Sequence, residues 1–232
     1  MKPLVIAHRG EHKNCFENTK EAFIAAAMGN YFGVETDLYL TKDNKWIIHH
    51  GEDFYSHGKR ILIKDELFDD LLKMDIDNEN RYKATCPSLI DFLTILQGTS
   101  KRPIIEIKID NVPLKWIKEM MDIISNYFSF DDVKFISFFT DPLQKIRSIN
   151  PKQDIMLLIE YTHLEMIDYA YEHNYGIDIE KCLVTKDIVD RFHKNNLKVG
   201  TWTVDDKLNA KNHAEMGVDY ITSNVFEQDS EI

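Results

Sequence analysis

The chain has 232 residues, 44% hydrophobic and 29% charged, which is apolar material for a packed domain and too much for a disordered segment. Acidic residues outnumber basic ones 39 to 28, and the formal charge of -11 excludes a general nucleic-acid binder, whose task needs a basic face. No run of ~18 apolar residues occurs, so no integral membrane association is expected.

The elements alternate along the chain. A strand is predicted at 3–7, too short and too near the start to be a secretory leader, then a helix at 17–29 and a strand at 33–40. Residues 41–87 form a long excursion with its own apolar run, Trp46-Ile47-Ile48. Helices at 88–97, 113–126, 141–149, 163–173, 185–195 and 205–215 then precede strands at 103–109, 133–138, 154–159, 176–179, 197–202 and 218–222 respectively. Asp141-Pro142 reads as an N-cap followed by proline at the first helical position, and Thr185 and Asp205-Asp206 as further helix starts. Eight strands separated by helices predict a TIM (β/α)8 barrel within a single domain, 1–232, with a small insertion at 41–87. Only about ten residues follow the last strand, so the final helix is expected to be short or missing. Cys15, Cys86 and Cys182 are far apart and form no CxxC, which fits reduced thiols and a cytoplasmic location.

The chemistry concentrates near the N-terminus. Glu35 and Asp37 are two apart in a strand, so both side chains share one face and repel unless a cation or proton lies between them. Glu106 and Lys108 repeat that spacing, offering a further carboxylate and a cation for a phosphoryl oxygen. His8 ends the first strand, where barrel enzymes keep catalytic groups, and Arg9 beside it offers a planar fork for phosphate oxygens. His49 and His50 alternate in direction, and the residues alone do not choose between them. Trp202, at the end of the seventh strand, is placed to floor a pocket or to fill the core. The histidines at 12, 57, 163, 173, 193 and 213 read as structural or solvated. Imidazoles, carboxylates and a guanidinium together suit metal-assisted attack on a phosphate ester.

These segments, in their order and spacing, resemble the glycerophosphodiester phosphodiesterase family over nearly the whole chain. His8-Arg9-Gly10 and Glu17-Asn18-Thr19 are similar to its opening signature, and Glu35-Thr36-Asp37, Thr41-Lys42-Asp43 and Ile47-Ile48-x-His50 to its metal-and-histidine block. Glu106-Ile107-Lys108, Ser137-Phe138, Thr201-Trp202-Thr203-Val204 and Gly217-Val218-Asp219-Tyr220-Ile221-Thr222 are similar to its later strand motifs. The resemblance implies a divalent cation, Mg²⁺ or Ca²⁺ with Mn²⁺ as a further candidate, held by Glu35, Asp37 and Glu106. It implies His8 and His50 as acid and base, His50 rather than His49 by alignment on Asp43 and the isoleucine pair. Arg9, Lys108 and Trp202 would bind a small glycerophosphodiester, hydrolysed to an alcohol and sn-glycerol 3-phosphate. A lysophospholipase-D-like activity on lysophospholipids is the alternative, with Phe54, Tyr55, Phe68 and Phe139 as either an apolar patch or plain core residues; a non-catalytic phosphate-metabolite-binding barrel is a third. The chain departs from the family in having Gly51 and Ser56 where aspartate and arginine are usual, and Thr222-Ser223-Asn224-Val225 at the eighth strand. The first two departures concern the wall formed by residues 51–87, and with it the choice of alcohol.

Overall fold

The computed structural model describes residues 2–230. In chain order it forms β1 (Leu4–Ala7), α1 (Lys20–Met28), β2 (Gly33–Leu40), β3 (Trp46–Ile48), β4 (Asp53–Ser56), β5 (Lys59–Leu62), α2 (Phe68–Leu71), α3 (Leu89–Leu96) and β6 (Arg102–Ile107). It continues with α4 (Leu114–Ser125), β7 (Lys134–Ser137), α5 (Thr140–Ile149), β8 (Ile155–Ile159), α6 (Glu165–Glu172) and β9 (Gly176–Glu180). The last elements are α7 (Lys186–Lys194), β10 (Val199–Trp202), α8 (Lys207–Met216) and β11 (Tyr220–Ser223).

Strands β1, β2 and β6 to β11 pair in parallel, and β1 meets both β2 and β11, which closes an eight-stranded barrel. The predicted TIM barrel is therefore the observed fold, with element ends shifted by up to three residues. Alternation explains its two layers. Outward residues such as Val34, Ile105, Phe135, Leu157, Ile177 and Ile221 are buried beneath the helices, each contributing roughly 1.5–3 kcal/mol. Inward residues Ile6, Ile104, Ile136, Met156, Leu158 and Tyr220 fill the barrel interior. The helices start where polar caps allow it: Thr19, Ser88 in a reciprocal box with Asp91, Thr185 and Asp206 each accept from the first turn.

One predicted cap is wrong. Helix α5 begins at Thr140 behind Phe139, which makes no side-chain cap. Asp141 and Pro142 are its second and third residues, where a proline still lacks only an N–H that has no helical partner; Asp141 instead pairs with Lys145 one turn on, at 2.6 Å.

The excursion is structured. Strand β3 runs antiparallel to β2, with Leu40 opposite Trp46, and returns the chain to the barrel rim at His50. The β4–β5 hairpin and α2 then enclose a small core of Ile47, Phe54, Ile61, Ile63, Leu71 and Cys86. Phe54 and Phe68 belong to that core rather than to a patch at the barrel mouth. Among the described residues no helix follows β11, and no helix is long and apolar enough to cross a membrane.

Candidate active site

The β1–α1 loop is bent by backbone that few residues tolerate. Arg9 and Gly10 both have positive φ, and a Cβ at Gly10 would lie 2.7–2.8 Å from Ala22, so only glycine fits there. The bend points the Arg9 amide at Glu35 Oε2, 2.9 Å away, and sets the guanidinium against Glu17 at 2.7 Å and Asp37 at 3.5 Å. Asn18, also at positive φ, donates to Asp37 Oδ2 at 2.7 Å and accepts from Thr36 at 3.0 Å. The Glu17-Asn18 pair thus orients both Arg9 and Asp37.

Glu35 and Asp37 face the barrel interior, and Asp37 stands opposite Glu106 across the β2–β6 pair. One oxygen from each of the three carboxylates lies within 4.8 Å of the others, all buried. Lys108, just past the end of β6, reaches Glu106 at 3.0 Å and Asp37 at 3.5 Å. Burial, then Asp37 and Glu106, pushes Glu35 well above the usual carboxylate range. Burial and then Asp37 push Glu106 up to about 8. Burial also raises Asp37, but Lys108 and Arg9 outweigh it and hold that carboxyl low.

His8 and His50 line one cavity of about 120 Å³ with Arg9, Glu35, Glu106, Lys108 and Trp202. Burial, then Arg9, brings both imidazoles down to about 4, so both are neutral at physiological pH. His49 turns the other way, its Nδ1 against the Gly51 backbone and its ring 5.3 Å from Phe54. Trp202 donates its indole N–H to the Asp178 carbonyl at 2.9 Å and meets Phe138 edge-on. All eight residues singled out in the sequence converge on this end of the barrel, the C-terminal end of its strands.

Residues 8–228 match the glycerophosphoryl diester phosphodiesterase family. The chain belongs to that family. A glycerophosphodiester phosphodiesterase of Caldanaerobacter subterraneus subsp. tengcongensis is 30% identical over 95% of this chain and 93% of its own. One of Bacillus altitudinis is 27% identical over 94% and 92%. Among solved structures, a Parabacteroides distasonis glycerophosphodiester phosphodiesterase superposes with a TM-score of 0.81 at 24% identity, covering 96% of this chain and 93% of that one. An Oleispira antarctica phosphodiesterase in complex with the product sn-glycerol-3-phosphate does so at 0.84 and 20%, over 96% and 93%.

Three features of this glycerophosphodiester phosphodiesterase family member escape motif reading. Asn224 Oδ1 lies 2.9 Å from His8 Nδ1 and 3.0 Å from His12 Nε2, while its Nδ2 and backbone N–H donate to Asp205 at 2.7 and 2.8 Å. Because Asp205 accepts from the amide nitrogen, the amide oxygen must face the imidazoles, so His8 carries its proton on Nδ1 and keeps Nε2 as an acceptor. His12 is thus tied to His8 through Asn224, rather than free in a loop. His213, expected at a helical surface, is buried on α8. Asp178, buried on β9, also lines the cavity. Its only sequence signal is a lone acid between isoleucines in a strand.

Proposed function

We propose that this chain hydrolyses glycerophosphodiesters to an alcohol and sn-glycerol 3-phosphate, with one divalent cation held by Glu35, Asp37 and Glu106. The convergence of these three carboxylates at the cavity that His8 and His50 line is the observation that carries the reading. Family membership and the product complex of the Oleispira relative support the substrate class.

The residues fit a cation. Among the described residues Asp37 Oδ1 and Glu106 Oε1 are buried without a well-formed hydrogen bond, facing each other and the ammonium of Lys108 at 3.5 and 3.0 Å. Buried polar atoms without partners call for an ion or water, and three carboxylate oxygens select Mg²⁺, Ca²⁺ or Mn²⁺ over softer metals. When bound, such an ion supplies positive charge against the phosphoryl oxygens.

The chain's own groups do the proton transfers. His8, neutral and fixed through Nδ1, uses Nε2 to take the proton of the attacking hydroxyl or water. His50, the more solvent-exposed imidazole, picks up a proton once the substrate's negative charge is near and gives it to the leaving alkoxide. Lys108 and Arg9, which line the same cavity, stabilise the negative charge that builds on the phosphoryl oxygens. Arg9 is divided between this role and its pair with Glu17, which holds the guanidinium in place. Trp202, anchored by its N–H, presents its ring to the substrate.

The cysteines are unbonded, in keeping with a reducing compartment, and we place the enzyme in the cytoplasm. The reading treats residues 1–232 as one catalytic domain.

A second reading, lysophospholipid cleavage, has one observation in its favour. A groove beside the cavity has Tyr39, Phe138, Phe139, Leu158 and Met166 on its apolar side, with Phe139 38% exposed, and Glu106, Lys108, Glu160 and His163 on its polar side. Turnover of glycerophosphocholine against lysophosphatidylcholine decides between them. We expect the former to have the higher kcat/KM; the reverse order overturns the proposal in favour of the second reading.

A further inference from the structure

The carboxyl of Asp178 takes no part in the chemistry derived above. It is 4% exposed, and its Oδ1 has no hydrogen-bond partner among the described residues. Leaving such a group unpaired costs about 1–3 kcal/mol, so its position needs a reason. The charge acting on it is that of Lys134, which is itself paired with Asp154 toward the lower end of the barrel. Above it is the cavity that also holds His8, Glu35, Glu106 and Thr222, with a volume of about 120 Å³, several times the ~10–15 Å³ that lodges one water.

The carboxyl lines that cavity, with its Oδ1 packed against the neighbouring strand. On the neighbouring strand Gly200 is opposite Asp178, and a Cβ there would come within 2.7 Å of Oδ1, so any side chain would crowd it. Trp202 closes over the same residue by donating to its backbone carbonyl, which leaves the carboxyl itself unengaged. Ile136, Leu158 and Phe138 supply apolar walls. Burial raises the Asp178 carboxyl to about 7, so near neutral pH it both donates and accepts hydrogen bonds.

We infer that Asp178 is a specificity-determining residue that hydrogen-bonds a free hydroxyl of the substrate's glycerol group. The inference rests on the proposed glycerophosphodiester reading. With the phosphate between the carboxylate trio and the imidazoles, the glycerol carbons lie against the apolar walls and a hydroxyl meets Asp178. The leaving alcohol then points outward along the groove at Phe139. A hydroxyl is what a partly protonated buried acid pairs with at least cost, because neither partner brings a full charge into the barrel. An acyl ester on that hydroxyl would remove the donor and leave the acid unpaired.

The test uses the full chain in saturating Mg²⁺ and compares the affinity of sn-glycerol 3-phosphate with that of methyl phosphate, which has the phosphate and no hydroxyl. Asp178→Leu is expected to weaken glycerol 3-phosphate at least ten-fold and methyl phosphate by less than two-fold, with an unchanged or raised Tm. Asp178→Asn, which keeps a donor and an acceptor, should fall between Leu and the parent and covers the case in which Leu misfolds. Parallel losses for both ligands, or no loss for either, in an enzyme whose parent cleaves glycerophosphocholine, overturn the role of Asp178 alone. A parent that does not cleave glycerophosphocholine overturns the underlying reading and this inference with it.

Discussion

Asp37 and Glu106 face each other across the β2–β6 pair, both buried, with only Lys108 between them. Two like charges at cross-strand positions repel, and burial deepens the penalty. In the absence of a cation the pair is therefore a liability that the rest of the barrel offsets. Replacing Glu106 by Gln keeps the shape and removes a carboxyl whose folded-state pKa is raised. A raised carboxyl destabilises the fold at any pH above its unfolded value, so at neutral pH Glu106→Gln should raise the Tm of the metal-free protein. The expected gain is roughly 2–4 °C for each kcal/mol relieved. The same variant should lose the Tm increase that Mg²⁺ or Ca²⁺ gives the parent. Thermal melts in EDTA and in metal check both signs; a fall in the metal-free Tm counts against the repulsion.

The two imidazoles in the cavity and the one beside it separate register from chance. His8→Ala and His50→Ala should each lower kcat by about 10²–10⁴-fold. His49→Ala, which loses a contact with Phe54 and a bond to the Gly51 backbone, should cost less than ten-fold. Steady-state kinetics on glycerophosphocholine measure all three. Comparable losses at His49 and His50 would move the catalytic histidine one residue along.

Asn224 meets His8 at Nδ1 and does not itself line the cavity. Its replacement by alanine leaves His8 Nδ1 without its acceptor, so both tautomer and ring angle become free. A drop in kcat of roughly 10–100-fold with KM little changed is expected, as for a slightly misplaced catalytic group. The pH–rate profile should shift as well, because His8 loses a bond that favours its protonated form. A change confined to KM, with the profile unmoved, would assign Asn224 to binding instead.

Stability at low pH has an identifiable contributor away from the site. Burial raises the Asp219 carboxyl, but Lys198, the Val199 N–H and His193 outweigh it and hold it below its usual value. A depressed carboxyl adds stability that is complete above its unfolded pKa of about 3.9 and lost as pH falls through the folded value. The parent should thus lose stability to Asp219→Asn by on the order of 1–2 kcal/mol at pH 7, and the two should converge below about pH 4. Denaturant melts across that range test it; a gap that does not narrow at all as pH falls below about 4 would show a packing effect rather than a charge effect.

Much of this is legible in the sequence, for physical reasons. Strand–helix alternation is periodic, so β6 and α4 declare themselves through buried positions alone. Carboxylates two apart in a strand share a face whatever the fold, which is why Glu35 and Asp37 were legible as a pair. Asn224, Asp205 and His12 were not: each is a single polar residue in a loop, and only barrel closure between β1 and β11 brings them together. Asp178 looks like any lone acid until Gly200 and Trp202 are seen around it. The start of α5 was misjudged because proline is tolerated anywhere in a helix's first turn, so Pro142 marks the turn and not its first residue. Phe54 and Phe68 read equally as patch or core in the sequence, because an apolar residue in an excursion can serve a small local core as readily as a binding surface.

The central claim is that Glu35, Asp37 and Glu106 hold one divalent cation on which activity depends. The most direct measurement is equilibrium binding of Mn²⁺ to the metal-stripped chain and to Glu35→Gln, Asp37→Asn and Glu106→Gln, with glycerophosphocholine turnover followed in the same samples. One ion per chain in the parent, greatly weakened binding in each variant, and turnover that vanishes in EDTA and returns with metal are the predicted results. Binding that survives in all three variants, or turnover indifferent to EDTA, would contradict it.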